Sequence, residues 1–529
     1  MKKSLAIVLA MTLVSSCLTA CGGSNKSADA AKTEAVSEKT NQAQESVEVP
    51  AIKGPGNVSL KRLSYNVAFD PNEDICASVI EKSTGYQVEY FTLPAENADE
   101  KLIMEVAGGA DYDVLQVSPA QYQTLLSQGA LMPLNDLLET YGQDILAGVS
   151  EETWRAASDD EGTIYAIPYK YPYAQEVQSF LVCRWDLAAA AGITEVPTTI
   201  DEFHDMLLKL KEHYGDEYII LAGPYRAASE GNGTWIFPKV IASAFGIYND
   251  WMVDENGSVY YMTEHPNFQK MIEFMSTLQA EGLLDPDWAA NTSATVNEKF
   301  AGGKTIVSCT QRDGLGKVLP GMIENGLTYD DFRYIAPLEG EDGTCVYMKT
   351  EAVNFFSVIL KGSKNAADVV NWINLKQNDQ LYLNIGEEGV HFNYDEEGAI
   401  APINPTFSEE RGNSYWYIDS TNEAEFATEW PSRVRKSDAQ WAGFSAVTLE
   451  TNENRPEIFT PNPFAFKPAT EKYAKYNVAL FSNMNDFILQ VLAGTKTMDD
   501  LETFNKEWTA AGGADVKTEL QEWYDGFYK

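Results

Sequence analysis

Several short stretches of the chain carry residue types that could do chemistry, and each can be tested against the spacing that chemistry demands. Asp70-Pro71-Asn72-Glu73-Asp74, with Glu81 further on, offers oxygen ligands at the first, third, fifth and twelfth places of a calcium loop. The sixth place, where such a loop needs glycine for its sharp turn, holds Ile75. A helix start with Asp70 as its N-cap is the better reading. Gly303-Lys304-Thr305 imitates the end of a phosphate loop, but the glycine that should open the loop falls on Glu298. His204, His213, His265 and His391 lie far apart in sequence, without zinc spacing, and neither Gly-x-Ser-x-Gly nor His-Glu-x-x-His occurs. The 78 Asp and Glu residues could contain a glycosidase pair, yet no short motif marks one, and solvated surface is their ordinary role. None of these stretches meets the full spacing that its chemistry demands.

The amino end carries a different chemistry. Met1-Lys2-Lys3-Ser4 is positively charged, and Leu5 to Val14 is apolar but too short to anchor stably in a bilayer. Leu18-Thr19-Ala20-Cys21 then resembles a bacterial lipobox, in which the peptide is cut before the cysteine and the thiol takes up a lipid. Residues 1–20 are expected to be a lipoprotein signal peptide, Cys21 the lipidated residue, and the outer face of the cell membrane the location. An ordinary secretory signal with a chance cysteine is the alternative. Residues 21–56 are rich in Ser, Ala, Glu, Lys, Thr and Gln and contain no aromatic, so they cannot bury enough apolar surface to order themselves. They read as a tether reaching on the order of 30 Å as a random coil.

At 529 residues the chain is too long for one ordinary domain. Lys and Arg total 39 against 78 acids, a net charge of −39, which repels nucleic acid and anionic lipid surfaces. Cys76, Cys183, Cys309 and Cys345 remain beyond Cys21, scattered and without Cys-x-x-Cys; buried thiols are expected, with one disulfide open.

The elements read as an αβ alternation. Val58–Val67, Tyr86–Phe91 and Tyr112–Val117 read as strands, with helices between them, which argues for a parallel sheet covered by helices. Ala166-Ile167-Pro168-Tyr169 and Tyr171-Pro172-Tyr173 form an aromatic–proline segment leading into the buried strand Ser179–Cys183. Thr199 and Glu202 make a capping box for a helix with Phe203, Met206, Leu207 and Leu210 on one face. Helices are also expected over 267–280 and 365–378, and over three stretches at the carboxyl end. Strands are expected at 218–221, 305–308, 331–337 and 346–360.

Six segments in order then carry a family resemblance. They are Ile80–Gly85, Tyr165–Pro168, Pro197–Phe203, Glu281–Pro286, Phe300–Lys304 and Gly386–Phe392. With the lipobox ahead of them, the chain resembles the family 1 extracellular solute-binding proteins of ABC importers, in their long lipoprotein branch from Gram-positive bacteria. The resemblance implies an α/β, two-lobed periplasmic-binding-protein-like fold of type II, with discontinuous lobes joined by crossing strands and a ligand cleft between them. Carried onto this chain, lobe 1 is 57–178 with 351–400, and lobe 2 is 179–350 with 401–529. The crossings fall near Glu176–Arg184, Lys349–Phe355 and Ala399–Asn404. The implied role is capture of a carbohydrate, an oligosaccharide, without catalysis, metal or cofactor, by a monomer that closes on it and passes it to permease subunits. The membrane is touched only through the lipid.

Sugars present flat C–H faces to aromatic rings and hydroxyls to charged or amide groups, and in α/β lobes ligands sit beyond the carboxyl ends of strands. That reasoning selects Tyr65, Asp70, Ser118, Gln311 and Arg312 after strands, and Tyr169, Tyr171 and Tyr173 beside the first crossing. It adds Glu388 and His391 before the third, and Trp235, Trp288 and Trp416 in loop-like sequence. Rival readings are an exported glycan-active enzyme, with two carboxylates about 5–10 Å apart, and a receptor for peptides or cations.

Overall fold

Strands buried on both faces need helices above and below, and Leu60-Lys61-Arg62-Leu63-Ser64 is such a strand, with four of its five residues buried. A computed structural model describes residues 56–159, 161–177, 179–223, 238–468 and 470–529. Cys21, the signal peptide, nearly all of the tether and Trp235 lie outside the described residues.

In chain order the strands are β1 (Leu60–Ser64), β2 (Val88–Thr92), β3 (Val114–Val117), β4 (Ala166–Lys170), β5 (Ser179–Arg184) and β6 (Ile219–Ala222). They continue with β7 (Trp251–Val253), β8 (Val259–Tyr261), β9 (Thr305–Gln311), β10 (Phe332–Ile335), β11 (Tyr347–Met348) and β12 (Val353–Val358). Two sheets organise them. The first runs β2-β1-β3-β12-β4, and the second runs β10-β5-β9-β6. β1 is parallel to β2 and β3, whereas β12 is antiparallel to both β3 and β4. In the second sheet β6 and β9 are parallel, and β5 is antiparallel to β9 and β10. Each sheet has its own apolar interior. Leu60, Val114, Ile167, Val370 and Trp372 pack together on the first, and Leu181, Phe203, Leu221, Ile306 and Met275 on the second. The architecture is α/β and two-lobed.

Local signals placed many elements. Thr199 Oγ1 accepts from Glu202 N (3.2 Å) and Glu202 Oε2 accepts from Thr199 N (3.3 Å), so the capping box opens the helix Ile200–Tyr214. The three carboxyl-terminal helices, Glu471–Leu492, Leu501–Trp508 and Ala514–Tyr528, bury Leu480, Met484, Phe487, Ile488, Phe504, Trp508, Val516 and Leu520 in the second lobe's core. The cap of the first helix differs from expectation. It spans Ile75–Thr84, and Asp74 Oδ1, not Asp70, accepts from Cys76 N. Asp70 instead folds its carboxylate onto Asn72 N (2.9 Å) in the preceding turn. Cys76, Cys183 and Cys345 are buried thiols whose pKa burial raises; Cys309 is buried with its Sγ 3.9 Å from Ser179 Oγ.

The chain passes between sheets at residues 171–177 and returns at 349–352. The two passages pair: Tyr171 N donates to Ala352 O (2.9 Å), and Thr350 N donates to Ala174 O (2.7 Å). The third passage corrects the expectation. Residues 399–404 form part of a hairpin in which Phe392–Tyr394 pairs with Ile400–Pro402. The whole segment 401–435, expected with the second lobe, stays on the first. Trp416 and Tyr417 lie in the same apolar cluster as Leu60 and Trp372, and Arg433 Nη1 bonds Asn384 O (3.1 Å). Only after the helix Glu423–Arg435 does the chain cross. The next helix, Asp438–Gly443, lies so close to the second lobe that a Cβ on Gly443 would meet Leu315 Cδ1 at 2.4 Å.

Candidate functional site

The strand directions decide where the two lobes face one another. β1, β3 and β4 run the same way, so Tyr65, Ser118 and Tyr171 follow their carboxyl ends, and antiparallel β12 begins at that edge with Val353, Asn354 and Phe355. β6, β9 and β10 likewise share a direction, and Arg312 follows β9 while β5 starts beside it, Ser179 pairing with Gln311. The passage 171–177 therefore joins one carboxyl edge to the other, the place where α/β sheets leave room for a ligand.

Arg312, first residue of the helix Arg312–Glu324, is the second lobe's main contribution. Its Nη1 lies 2.9 Å from Glu176 Oε1, its Nε bonds Asp313 Oδ1 (3.1 Å), and its guanidinium carbon is 5.3 Å from the centre of the Trp430 ring. Glu176 is almost wholly buried and also accepts a 2.5 Å bond from Tyr171 Oη. Burial raises its pKa and the Arg312 charge opposes that rise. The first lobe answers with aromatic rings. Tyr171 and Trp430 meet edge to face at 5.4 Å, Tyr415 lies 5.8 Å from Trp430, and Tyr65 stacks on Phe355 at 4.8 Å.

Between these walls lies a cavity of about 290 Å³, bordered by Arg312, Asp313, Tyr415, Trp430, Arg433 and Lys436 among others. It draws residues from both lobes. Arg433 is buried; its donors go to Asn384 O, Ser414 Oγ (2.6 Å) and Gly412 O (3.3 Å). Lys436 opens to solvent at the cavity's edge, yet crowding by the walls, with the Arg433 charge beside it, pushes its pKa down to about 8.

One turn behind Arg433 sits Glu429, buried, accepting from Gln380 Nε2 (3.1 Å) and Asn384 Nδ2 (3.4 Å). Burial pushes its carboxyl up from 4.5 to about 7. A carboxyl whose folded pKa is raised stabilises the fold most below its unfolded pKa, and that contribution fades as pH rises towards 7. Glu429→Gln, which imitates the protonated form, is expected to match the parent near pH 4 and to exceed it by about 3 kcal/mol at pH 8 in urea unfolding. Parallel pH profiles for the two proteins would contradict the burial argument.

The structure brings together Tyr65, Tyr171, Gln311 and Arg312 at the facing edges. Tyr173 lies on the same passage, its Oη accepting from Asn452 Nδ2 (3.0 Å). Ser118 is spent on a capping box with Gln121, while Asp70 and Glu388 are exposed. Four expected ligand residues are buried in the interior. Tyr169 is buried beneath Tyr415 and Phe426. Trp288 lies in the second lobe's core and Trp416 in the first's, where its Nε1 donates to Tyr65 O (3.1 Å). His391 is buried with both nitrogens engaged, Nδ1 by Glu387 N (3.0 Å) and Nε2 near Glu410 Oε2 (3.1 Å). Sequence reasoning missed Glu176 as a partner, Tyr415, and the helix face Trp430, Arg433, with Lys436 beyond it. The i, i+3 spacing of an aromatic and a cation was the available signal. Among the described residues no group of three or more His, Cys, Asp or Glu could hold a metal ion, and no helix is long and apolar enough to cross a membrane.

A family model described as bacterial extracellular solute-binding protein matches residues 73–380. Lipoprotein LipO of Bacillus subtilis is 21% identical over 467 residues, 84% of this chain and 88% of that protein. The fructooligosaccharide ABC transporter substrate-binding protein FusA of Streptococcus pneumoniae is 25% identical over 256 residues, 44% of this chain and 46% of its own. The solved structure of FusA in complex with kestose superposes with a TM-score of 0.63 at 20% identity, covering 89% of this chain and 99% of that one.

Proposed function

Because the chain belongs to the bacterial extracellular solute-binding proteins, we propose that it captures a carbohydrate, an oligosaccharide, between its lobes and delivers it to the permease of an ABC importer. It is a binding protein and not an enzyme, as its family is. We take lobe 1 as 57–174 with 351–435 and lobe 2 as 179–348 with 438–529. Cys21 is the proposed lipid attachment site, holding the body to the outer face of the membrane; the order of charged, apolar and small residues before it supports this. FusA, a substrate-binding protein for fructooligosaccharides by name, supports the choice of ligand class.

One observation carries the reading. Arg312 reaches from the second lobe to Glu176 and Trp430, so a guest held between the aromatic wall and Arg312 touches both lobes at once. Such a guest favours the closed form by its extra contacts there, and a closed form is a distinct shape for a permease to recognise. Tyr65, Tyr171, Gln311 and Arg312 remain the proposed contacts, joined by Tyr415 and Trp430.

A thermal-shift screen against oligosaccharides, peptides and polyamines tests this. A ligand at a hundredfold excess over Kd stabilises by about 2.7 kcal/mol. Shifts confined to oligosaccharides are the expected result. Shifts confined to peptides or polyamines would replace the carbohydrate with a cationic or peptide guest.

A further inference from the structure

The chain carries twice as many acids as bases, 78 against 39, so a wall of cations is the reverse of what its composition supplies. The interlobe cavity has such a wall. Arg312, Arg433 and Lys436 all border it, with Asp313 as the one carboxylate among its lining residues.

The three positive charges are not equally cancelled. Arg312 is neutralised by Glu176 behind it and Asp313 beside it. Arg433 has no carboxylate within ion-pair distance among the described residues, and its bonds go to two carbonyls and a hydroxyl. Those neutral acceptors satisfy its donors and leave its charge in place, offset only in part by Glu429 one turn behind, whose own pKa burial raises to about 7. Lys436 makes no side-chain bond to a described residue, and the charges it feels are Arg433 on its own segment and Asp313 across the cavity. Arg433 and Lys436 are three residues apart, so two poorly cancelled cations share one rim. Crowding by the cavity walls is the main cause that lowers the Lys436 pKa, and repulsion from Arg433 adds to it. Retaining an uncancelled cation pair in a partly enclosed site is unfavourable unless something else compensates it. Beside the pair stand Trp430 and Tyr415, whose rings suit the apolar face of a sugar.

We propose that the captured saccharide is anionic, its ring lying against Trp430 and Tyr415 and its carboxylate or sulfate ester held by Lys436 and Arg433. This rests on the carbohydrate reading above and narrows its substrate class. A neutral sugar would leave both cations uncompensated, whereas an anion forms charge-assisted hydrogen bonds with the ammonium. Lys436 is the group free to make them, since the donors of Arg433 are already engaged and that side chain contributes mainly its field.

Titration calorimetry with the full-length protein tests the proposal. The probes are trigalacturonate, its methyl ester with the same skeleton but no charge, a sulfated disaccharide, and a panel of neutral oligosaccharides. The expected result is that an acidic probe binds at least about tenfold more tightly than its neutral counterpart, with the gap shrinking at high salt. Lys436→Gln should lose about tenfold in affinity for the acidic probe, and Lys436→Arg should keep it. Lys436 is solvent-accessible, so its replacement leaves the fold intact. The carboxylate and sulfate arms identify which anion is preferred. Neutral oligosaccharides binding as well as the acidic ones, or an unchanged affinity in Lys436→Gln, overturns the anionic assignment and leaves carbohydrate capture standing. If no saccharide binds, the assignment falls together with the carbohydrate reading.

Discussion

Asp419→Ala is expected to cost about 3–5 kcal/mol of stability, the usual result of removing one member of a buried ion pair. Asp419 and Arg62 have fully buried side chains, and that of Lys376 is 8% exposed. Arg62 Nε donates to Asp419 Oδ1 (2.9 Å), Lys376 Nζ donates to Oδ2 (2.5 Å), and Ser357 Oγ lies 3.2 Å from Oδ1. Burial alone would raise the Asp419 pKa. Arg62 and Lys376 outweigh it and hold the carboxyl below its ordinary value. A carboxyl with a lowered pKa contributes stability above its unfolded pKa and loses it as pH falls through the folded one. At neutral pH the contribution is therefore present in full. With alanine in place, two cations remain buried with no counter-charge. Arg62 keeps only Trp416 O (3.0 Å) and the face of the Trp416 ring at 4.6 Å, and Lys376 keeps Tyr417 O and the Trp372 ring at 4.0 Å.

The same triad fixes where residues 401–435 go, because it ties β1 and the helix Ala366–Asn378 to the segment that follows Trp416. Urea unfolding followed by tryptophan emission reads the change, since Trp372 and Trp416 stand at the site. Adding Lys376→Met to Asp419→Ala should recover part of the loss by removing one uncompensated charge. A loss below about 1 kcal/mol in the single variant would place the triad with exposed ion pairs and sink the argument.

That triad also shows why some of the molecule was legible in its sequence and some was not. Thr199 and Glu202 are three residues apart and decide a helix start between themselves, so the residues alone were sufficient. The periodic faces of the last three helices are local in the same way. Arg62 and Asp419 are 357 residues apart. No local pattern says that the loop after Trp416 returns to the first strand, so the segment does not announce the sheet it packs against. The ligand candidates divide similarly. Arg312 is legible as a residue at a strand end in an acidic chain, where an arginine needs a partner. It has one, but Glu176 is contributed by the opposite passage and cannot be paired with it by spacing. Trp288 and Trp416 sit in loop-like sequence, yet short irregular segments here plug the cores from their edges. Loop-like sequence therefore did not separate a platform from a buried ring. Trp430, Arg433 and Lys436 form a face only once the helix Glu423–Arg435 is laid along the cavity.

The second large effect is expected at Arg312. Arg312→Ala removes the charge that compensates Glu176, whose side chain is 1% exposed, and takes away the contact with Trp430 across the lobes. Glu176 would then keep its bond from Tyr171 Oη but no counter-charge from Arg312, and would stay protonated to a higher pH. Two losses should follow. Stability falls by about 3–5 kcal/mol, because the buried carboxyl is left alone. Ligand affinity falls by about 2 kcal/mol or more, roughly thirtyfold, because arginines central to an interface contribute heavily and this one is the second lobe's hold on the guest. A stability defect by itself would prove nothing about binding, so a double variant separates the two. Arg312→Met with Glu176→Gln replaces the pair by groups of similar size without a buried charge, and such replacements are close to neutral for stability. The double variant should therefore unfold near the parent's midpoint while binding remains weak. If affinity returns together with stability, Arg312 serves only to hold Glu176, and the second lobe must grip its ligand through other residues.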